Sequence, residues 1–207
     1  MNKNTHIIPP VEGKFDAILL FGPPGVGKGT LGKFLSSAGS HFHLSSGDIF
    51  RGLPVDSPAG KIFHQYALKG NLVPDAVTIE IWHYFVSGLI ATNRYYPKEQ
   101  LLLLDGIPRT IEQAKLLEPY VNVKKIIALD IKDHQSLFKR LQKRALVEKR
   151  QDDMDYKVFE TRMNVYLKET AEVLKHYPSN KIARFSADLK PLEVLRDVLK
   201  ELTDLMV

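Results

Sequence analysis

Cysteine is absent from all 207 residues. A disulfide scaffold and a structural thiolate zinc site are therefore excluded, while the redox compartment stays open. The seven histidines show no metal-ligand spacing and read as surface or packing residues. No apolar run approaches the ~20 residues that span a bilayer, and no stretch is repeated or low in complexity. The opening Met1-Asn2-Lys3-Asn4-Thr5-His6-Ile7-Ile8-Pro9-Pro10 has too short an apolar core for a secretory signal. Residues 1–14 read as a loose lead-in, and the protein as cytoplasmic. With 44% hydrophobic residues, the rest of the chain, 15–207, suits one domain with insertions and a sizeable core.

What is present is organised around Gly22-Pro23-Pro24-Gly25-Val26-Gly27-Lys28-Gly29-Thr30. The apolar run Phe15-Asp16-Ala17-Ile18-Leu19-Leu20-Phe21 before it reads as a buried strand, and Leu31-Gly32-Lys33-Phe34-Leu35 after it has helical spacing. Strand, glycine-rich loop, helix is the context of a phosphate-binding loop. Glycines let the backbone turn so that successive N–H groups point at one anion. The helix aims its positive end at the same place, and Lys28 adds a full charge. Gly29, not Ser or Thr, follows the lysine, and the hydroxyl comes at Thr30. Direct magnesium ligation by the residue after the lysine is thereby excluded. The formal charge of +5 points to an anionic partner. Because the arginines are scattered among motifs rather than massed, nucleotide phosphates are favoured over nucleic acid or a membrane surface.

Further along, His41 to Leu44 reads as a second strand, and Ser45-Ser46-Gly47-Asp48-Ile49-Phe50-Arg51 as a helix start with a serine cap. Helices are expected over 59–69 and from Asp75 to about Ile90, with Gly70-Asn71 between them. Gln100 to Asp105 fits a central strand buried on both faces, and Gly106-Ile107-Pro108-Arg109-Thr110 turns it into a helix to about Leu117. A strand over 125–131, a basic helix from Asp133, a long helix from Asp152 to His176, a strand over 181–186 and a closing helix over 191–205 complete the series. Strands alternating with helices predict an α/β fold with a doubly wound, parallel five-stranded sheet of the P-loop NTPase type. Ligands of such sheets bind at the carboxyl ends of the strands.

Taken in that order, the segments resemble an adenylate kinase from about Phe15 to the C-terminus. The phosphate loop has that family's form, glycine between lysine and threonine included. Leu44-Ser45-Ser46-Gly47-Asp48-Ile49-Phe50-Arg51 is similar to its second motif, with Ser46 where threonine is usual. Lys69-Gly70-Asn71-Leu72-Val73-Pro74-Asp75 resembles the segment beside the monophosphate base. Leu104-Asp105-Gly106-Ile107-Pro108-Arg109-Thr110 with Gln113 is close to the most diagnostic string, isoleucine replacing phenylalanine. Arg140, Arg144, Arg150-Gln151-Asp152-Asp153, Arg162 and Tyr166 resemble the arginine-rich end, Arg162 standing one residue further from Asp153 than the pattern has it.

The resemblance implies reversible phosphoryl transfer from ATP to AMP giving two ADP, by a monomer acting on nucleotides, with Mg²⁺ and without structural zinc, nucleic acid or membrane. Transfer between two nucleotides gathers negative charge, so positioning and electrostatic stabilisation dominate, and no side-chain nucleophile is required. The ATP site would comprise Gly25, Val26, Gly27, Lys28, Gly29 and Thr30 with Arg140 and Arg144. The AMP site would comprise Ser46, Arg51, Asn71, Leu72, Val73, Gly106, Arg109, Gln113, Arg150 and Arg162. Arg51 and Arg109 would grip the acceptor α-phosphate. Lys28, Arg109, Arg140, Arg144, Arg150 and Arg162 would serve the transfer by balancing transition-state charge. Asp105, with Asp48, would hold magnesium through water. Base choice rests on Thr110 and Gln113. Gln113, four residues past Arg109, would share a helix face with it and offer an acceptor and a donor together to adenine.

Residues 45–74 would form a monophosphate-binding insertion and 144–150 a short lid. Only Ala145-Leu146-Val147-Glu148-Lys149 separates Arg144 from Arg150, which leaves no room for a zinc-binding lid domain. Short lids carry glycine and small polar residues, and none occurs here. Leu146 and Val147 either pack on the adenine of ATP or make a stiffer, helical lid. Two other readings remain open: a UMP, CMP or other monophosphate kinase, and a nucleotide-binding regulatory module with little turnover.

Overall fold

The computed structural model describes residues 13–67, 69–148, 150 and 153–205. Residues 1–12 of the expected lead-in, Lys149 of the lid segment and Asp152, the expected start of the long helix, lie outside the described residues. Five strands make one parallel sheet: β1 (Phe15–Phe21), β2 (His41–Ser45), β3 (Leu101–Asp105), β4 (Val121–Asp130) and β5 (Ile182–Ser186), in the order β2-β3-β1-β4-β5. The doubly wound class expected from the alternation of elements is the one observed. β1 is central because its run is apolar on both faces: Ala17, Ile18 and Leu19 are fully buried. On one face Ala17, Leu19, Leu102 and Leu104 pack with Trp82 and Val86 of α4 (Asp75–Ala91) and with Ala114 and Leu117 of α5 (Ile111–Leu117). The other face packs Ile18, Leu20 and Leu103 with Leu31 and Leu35 of α1 (Lys28–Ala38) and Val194 and Val198 of α8 (Pro191–Leu202). The alternation follows from side chains leaving a strand on opposite sides in turn.

The chain between β2 and α4 forms α2 (Ser46–Arg51) and α3 (Pro58–Ala67). Beyond β4 runs α6 (His134–Glu148), rooted by Leu137, Leu141 and Ala145, all buried. The helix runs on through Ala145–Glu148 of the expected lid segment. Two expectations differ from what is seen. β4 starts at Val121, earlier than expected, because Val121 and Val123 pair with Phe15 and Ala17 while Asn122 and Lys124 point out. That short alternating stretch carries a weaker signal than the solid apolar run after it. The expected long helix is a composite: α7 (Tyr156–Val165), capped by Asp155, then a π turn over Tyr166–Thr170 and a 3₁₀ segment over Ala171–His176. The wider π turn lets the Thr170 hydroxyl donate to the Arg109 carbonyl at 3.0 Å, and such turns recur at functional sites.

Candidate active site

The loop after β1 is shaped by its glycines. Gly25 has φ 82°, and a Cβ there would sit 2.8 Å from the carbonyl oxygen of Leu137 in α6. Only glycine permits both that conformation and that approach. Lys28 opens α1, and its Nζ donates to the carbonyls of Gly22 (2.7 Å) and Pro23 (3.1 Å). Burial pushes its pKa down to about 8, opposed by Asp105 and reinforced by Arg109 and Arg144. The ammonium is thus held by weak acceptors next to other cations, a poor arrangement until an anion arrives.

At the end of β3, the Gly106 carbonyl accepts from Ser46 Oγ and from Arg109 Nε, both at 2.7 Å. Burial, joined by Arg162 and Arg51 and opposed by Asp105, lowers the Arg109 pKa to about 10. Gln113 meets Arg109 by a route other than the expected helix face. Arg109 precedes α5, whose cap is Thr110, and Gln113 Oε1 accepts from the Arg109 backbone N–H at 2.8 Å. Thr110 Oγ1 accepts from Gln113 N at 3.0 Å and donates to Asp75 Oδ1 at 2.9 Å. Thr110 is therefore the N-cap of α5, its hydroxyl already engaged by Gln113 N–H and Asp75. Thr-x-x-Gln is a capping-box pattern, a signal the sequence carried.

Carboxylates hold most of the remaining arginines. Asp48 Oδ1 accepts from Arg51 Nη2 and Arg150 Nη2, each at 2.9 Å, and Arg150 Nε also reaches Glu148 at 2.6 Å. Burial alone would raise the Asp48 carboxyl, but Arg51 and Arg150 outweigh it and hold the group below its ordinary value. Fully buried Asp153 bridges Arg144 (2.6 Å) and Arg162 (2.8 Å). Arg140 Nη2 donates to the Ala187 carbonyl at 3.2 Å, tying α6 to the end of β5.

All twenty residues assigned from sequence to nucleotide or metal line one cavity of about 790 Å³ at the carboxyl ends of β1, β2 and β3. A sequence model described as adenylate kinase matches residues 20–182 of this chain. The chain belongs to the adenylate kinase family. An adenylate kinase of Flavobacterium psychrophilum is 34% identical over 195 residues, covering 91% of this chain and 97% of its own length. That of Corynebacterium urealyticum is 36% identical over 161 residues, 77% of this chain and 84% of its own. One from Ureaplasma parvum reaches 44% over a shorter stretch, 60% of this chain and 56% of its own.

Within this adenylate kinase, four residues near the cavity were given no role in the site by the sequence reading. Glu148 and Asp153 could have been flagged as carboxylates interleaved with arginines, and Asp75 as an acid opening a helix. His43 gave no such signal. Its Nε2 stands 3.6 Å from Asp105 Oδ2, and a Cβ on Gly32 would lie 2.3 Å from its ring. Asp105 itself suits an outer-sphere role toward magnesium. It is 8% exposed, and Oδ2 would be 3.5 Å from a Cβ on Gly29, so it faces the phosphate loop. Among the described residues no group of three or more His, Cys, Asp or Glu could ligate a metal directly, and Mg²⁺ readily keeps its waters. Asp48 fits less well, since Oδ1 already serves two arginines.

Proposed function

We propose that this chain catalyses reversible phosphoryl transfer from ATP to AMP, giving two molecules of ADP. The observation that carries the reading is the convergence of the phosphate loop and six arginines on one cavity, where carboxylates and carbonyls occupy the guanidiniums. Phosphoryl oxygens offer the same geometry with more charge. Lys28 and the N–H groups of 25–30 hold the β- and γ-phosphates of ATP. Arg51 and Arg109 hold the α-phosphate of AMP, and Arg140, Arg144, Arg150 and Arg162 close over the group in flight.

A non-bridging oxygen of the acceptor α-phosphate forms a bond to the γ-phosphorus. The bond from that phosphorus to the β–γ bridging oxygen breaks, its electron pair leaving with ADP. The chain contributes alignment, exclusion of water and fixed positive charge where negative charge redistributes. Magnesium, when bound with ATP, would neutralise part of the phosphate charge, and Asp105 is the residue that would hold its waters. Gln113 reads the base, which makes AMP the acceptor. The protein works as a monomer in the cytoplasm, on nucleotides alone.

A coupled assay with ATP and each of AMP, UMP and CMP tests this. Turnover with AMP well above the pyrimidine monophosphates is expected. Preference for UMP or CMP would overturn the acceptor, and binding without turnover on any acceptor would make the chain a regulatory nucleotide binder.

A further inference from the structure

Asp75, the first residue of α4, does more than open a helix. Its Oδ1 accepts from Thr110 Oγ1 and from Gln113 Nε2, both at 2.9 Å. Gln113 is 1% exposed, lines the cavity, and has its Oε1 fixed on the Arg109 backbone N–H. The two ends of a primary amide are alike in size, so only its partners decide which end is which. Here they leave one solution. A backbone N–H can only donate and a carboxylate accepts, so Oε1 must face Arg109 and Nε2 must face Asp75.

One N–H and one lone pair of the Gln113 amide remain, in a fixed handedness. A 6-aminopurine presents an amine beside a ring nitrogen acceptor, which this orientation matches. The 6-oxopurine presents a carbonyl beside a ring N–H and needs the amide reversed. Reversal would set Oε1 against the Asp75 carboxylate and Nε2 against the Arg109 N–H, leaving both pairs without a hydrogen bond. Buried polar groups left unpaired are what make such discrimination large. We infer that Asp75 is a specificity-determining, positioning residue: by fixing the Gln113 amide it makes the acceptor site take 6-aminopurine over 6-oxopurine monophosphates. The inference rests on the proposed reading of Gln113 as the residue that meets the acceptor base.

The test is kcat/KM for AMP relative to IMP in the whole protein, with Asp75→Asn beside Gln113→Ala. The amide introduced by Asp75→Asn could present either an acceptor or a donor to Gln113, so one of the two constraints disappears at constant size. Asp75→Asn should lower the AMP-to-IMP ratio by about tenfold, with KM for ATP within about twofold of wild type. A lower melting temperature with an unchanged ratio would overturn the inference and make Asp75 a staple between α4 and α5. If Gln113→Ala also leaves the ratio unchanged, the reading of Gln113 itself fails. Should Asp75→Asn not fold, the wild-type complex with AMP decides by NMR. The two Nε2 protons of Gln113 should be distinct and slow to exchange, and a single solvent-averaged environment would overturn the inference.

Discussion

Arg150, just beyond α6, donates to Asp48 of α2 at 2.9 Å, joining segments 102 residues apart in the chain. The same guanidinium also holds Glu148, so under the proposed function two carboxylates sit where an incoming phosphate would bind. A nucleotide must displace them, and the strength of that competition sets part of the apparent affinity.

Glu148→Gln should therefore tighten acceptor binding. The Glu148 side chain is 34% exposed, so the pair is worth about 0.5–1 kcal/mol, and KM for AMP should fall about two- to fivefold with little change in kcat. Steady-state kinetics on AMP measures it. An unchanged or higher KM would show that Glu148 does not compete.

Lys28→Ala should lower kcat by more than about tenfold, at least ~1.4 kcal/mol of transition-state stabilisation. Circular dichroism and thermal melting should barely change, because among the described residues the ammonium donates to the carbonyls of Gly22 and Pro23 alone. A variant keeping more than a tenth of wild-type kcat would sink the phosphate-loop assignment.

The pKa of Lys28, about 8 against an ordinary 10.5, fixes a pH dependence. Above pH 8 the free protein carries Lys28 mostly neutral, and polyphosphate beside it restores the charge. ATP binding should then take up close to one proton at pH 9 and almost none at pH 7. For folding the sign is opposite: between pH 8 and 10.5 the unfolded chain holds more protons, so this group adds stability as pH rises. Calorimetry of ATP binding in buffers of different ionisation enthalpy checks the uptake, and equal proton counts at pH 7 and 9 would refute it.

Asp153→Asn should destabilise the fold by about 3 kcal/mol, because it leaves two arginines facing a buried neutral amide. For a domain of this size that is some 6–12 °C of melting temperature. Urea denaturation gives the number, and a loss under about 0.5 kcal/mol would mean that Arg144 and Arg162 find other partners easily.

The strands were legible in the sequence wherever they were solidly apolar, as in Leu101 to Leu104 or Ala17 to Phe21, since both faces must be buried. The Val121–Lys124 stretch was not, because alternation over four residues is shared with ordinary surface chain. That the phosphate loop, Ser46 with Asp48, and Asp105 with Arg109 share one side of the molecule was legible because each group sits at the end of a strand, and a parallel sheet carries all strand ends to one side. The pairings were not. Asp48 with Arg150 and Asp75 with Gln113 join residues far apart in the chain, and nothing in either neighbourhood encodes the other. Thr110 shows the converse: a local capping pattern was present and was read as chemistry.

The absence of glycine between Arg144 and Arg150 turns α6 into a lever. Helix persists to Glu148, so on the proposed reading a lid built on its described residues would swing about the buried root at Leu137 and Leu141. From Leu141 to Glu148 the arm is ~10 Å long, and a rotation of ~30° would carry its tip on the order of 5 Å. The fulcrum lies against the phosphate loop, where a Cβ on Gly25 would stand 2.8 Å from the Leu137 carbonyl. On the proposed reading, torque on the lid would pass to the loop that holds ATP, so opening to release product and loosening the grip on its phosphates would be one mechanical event.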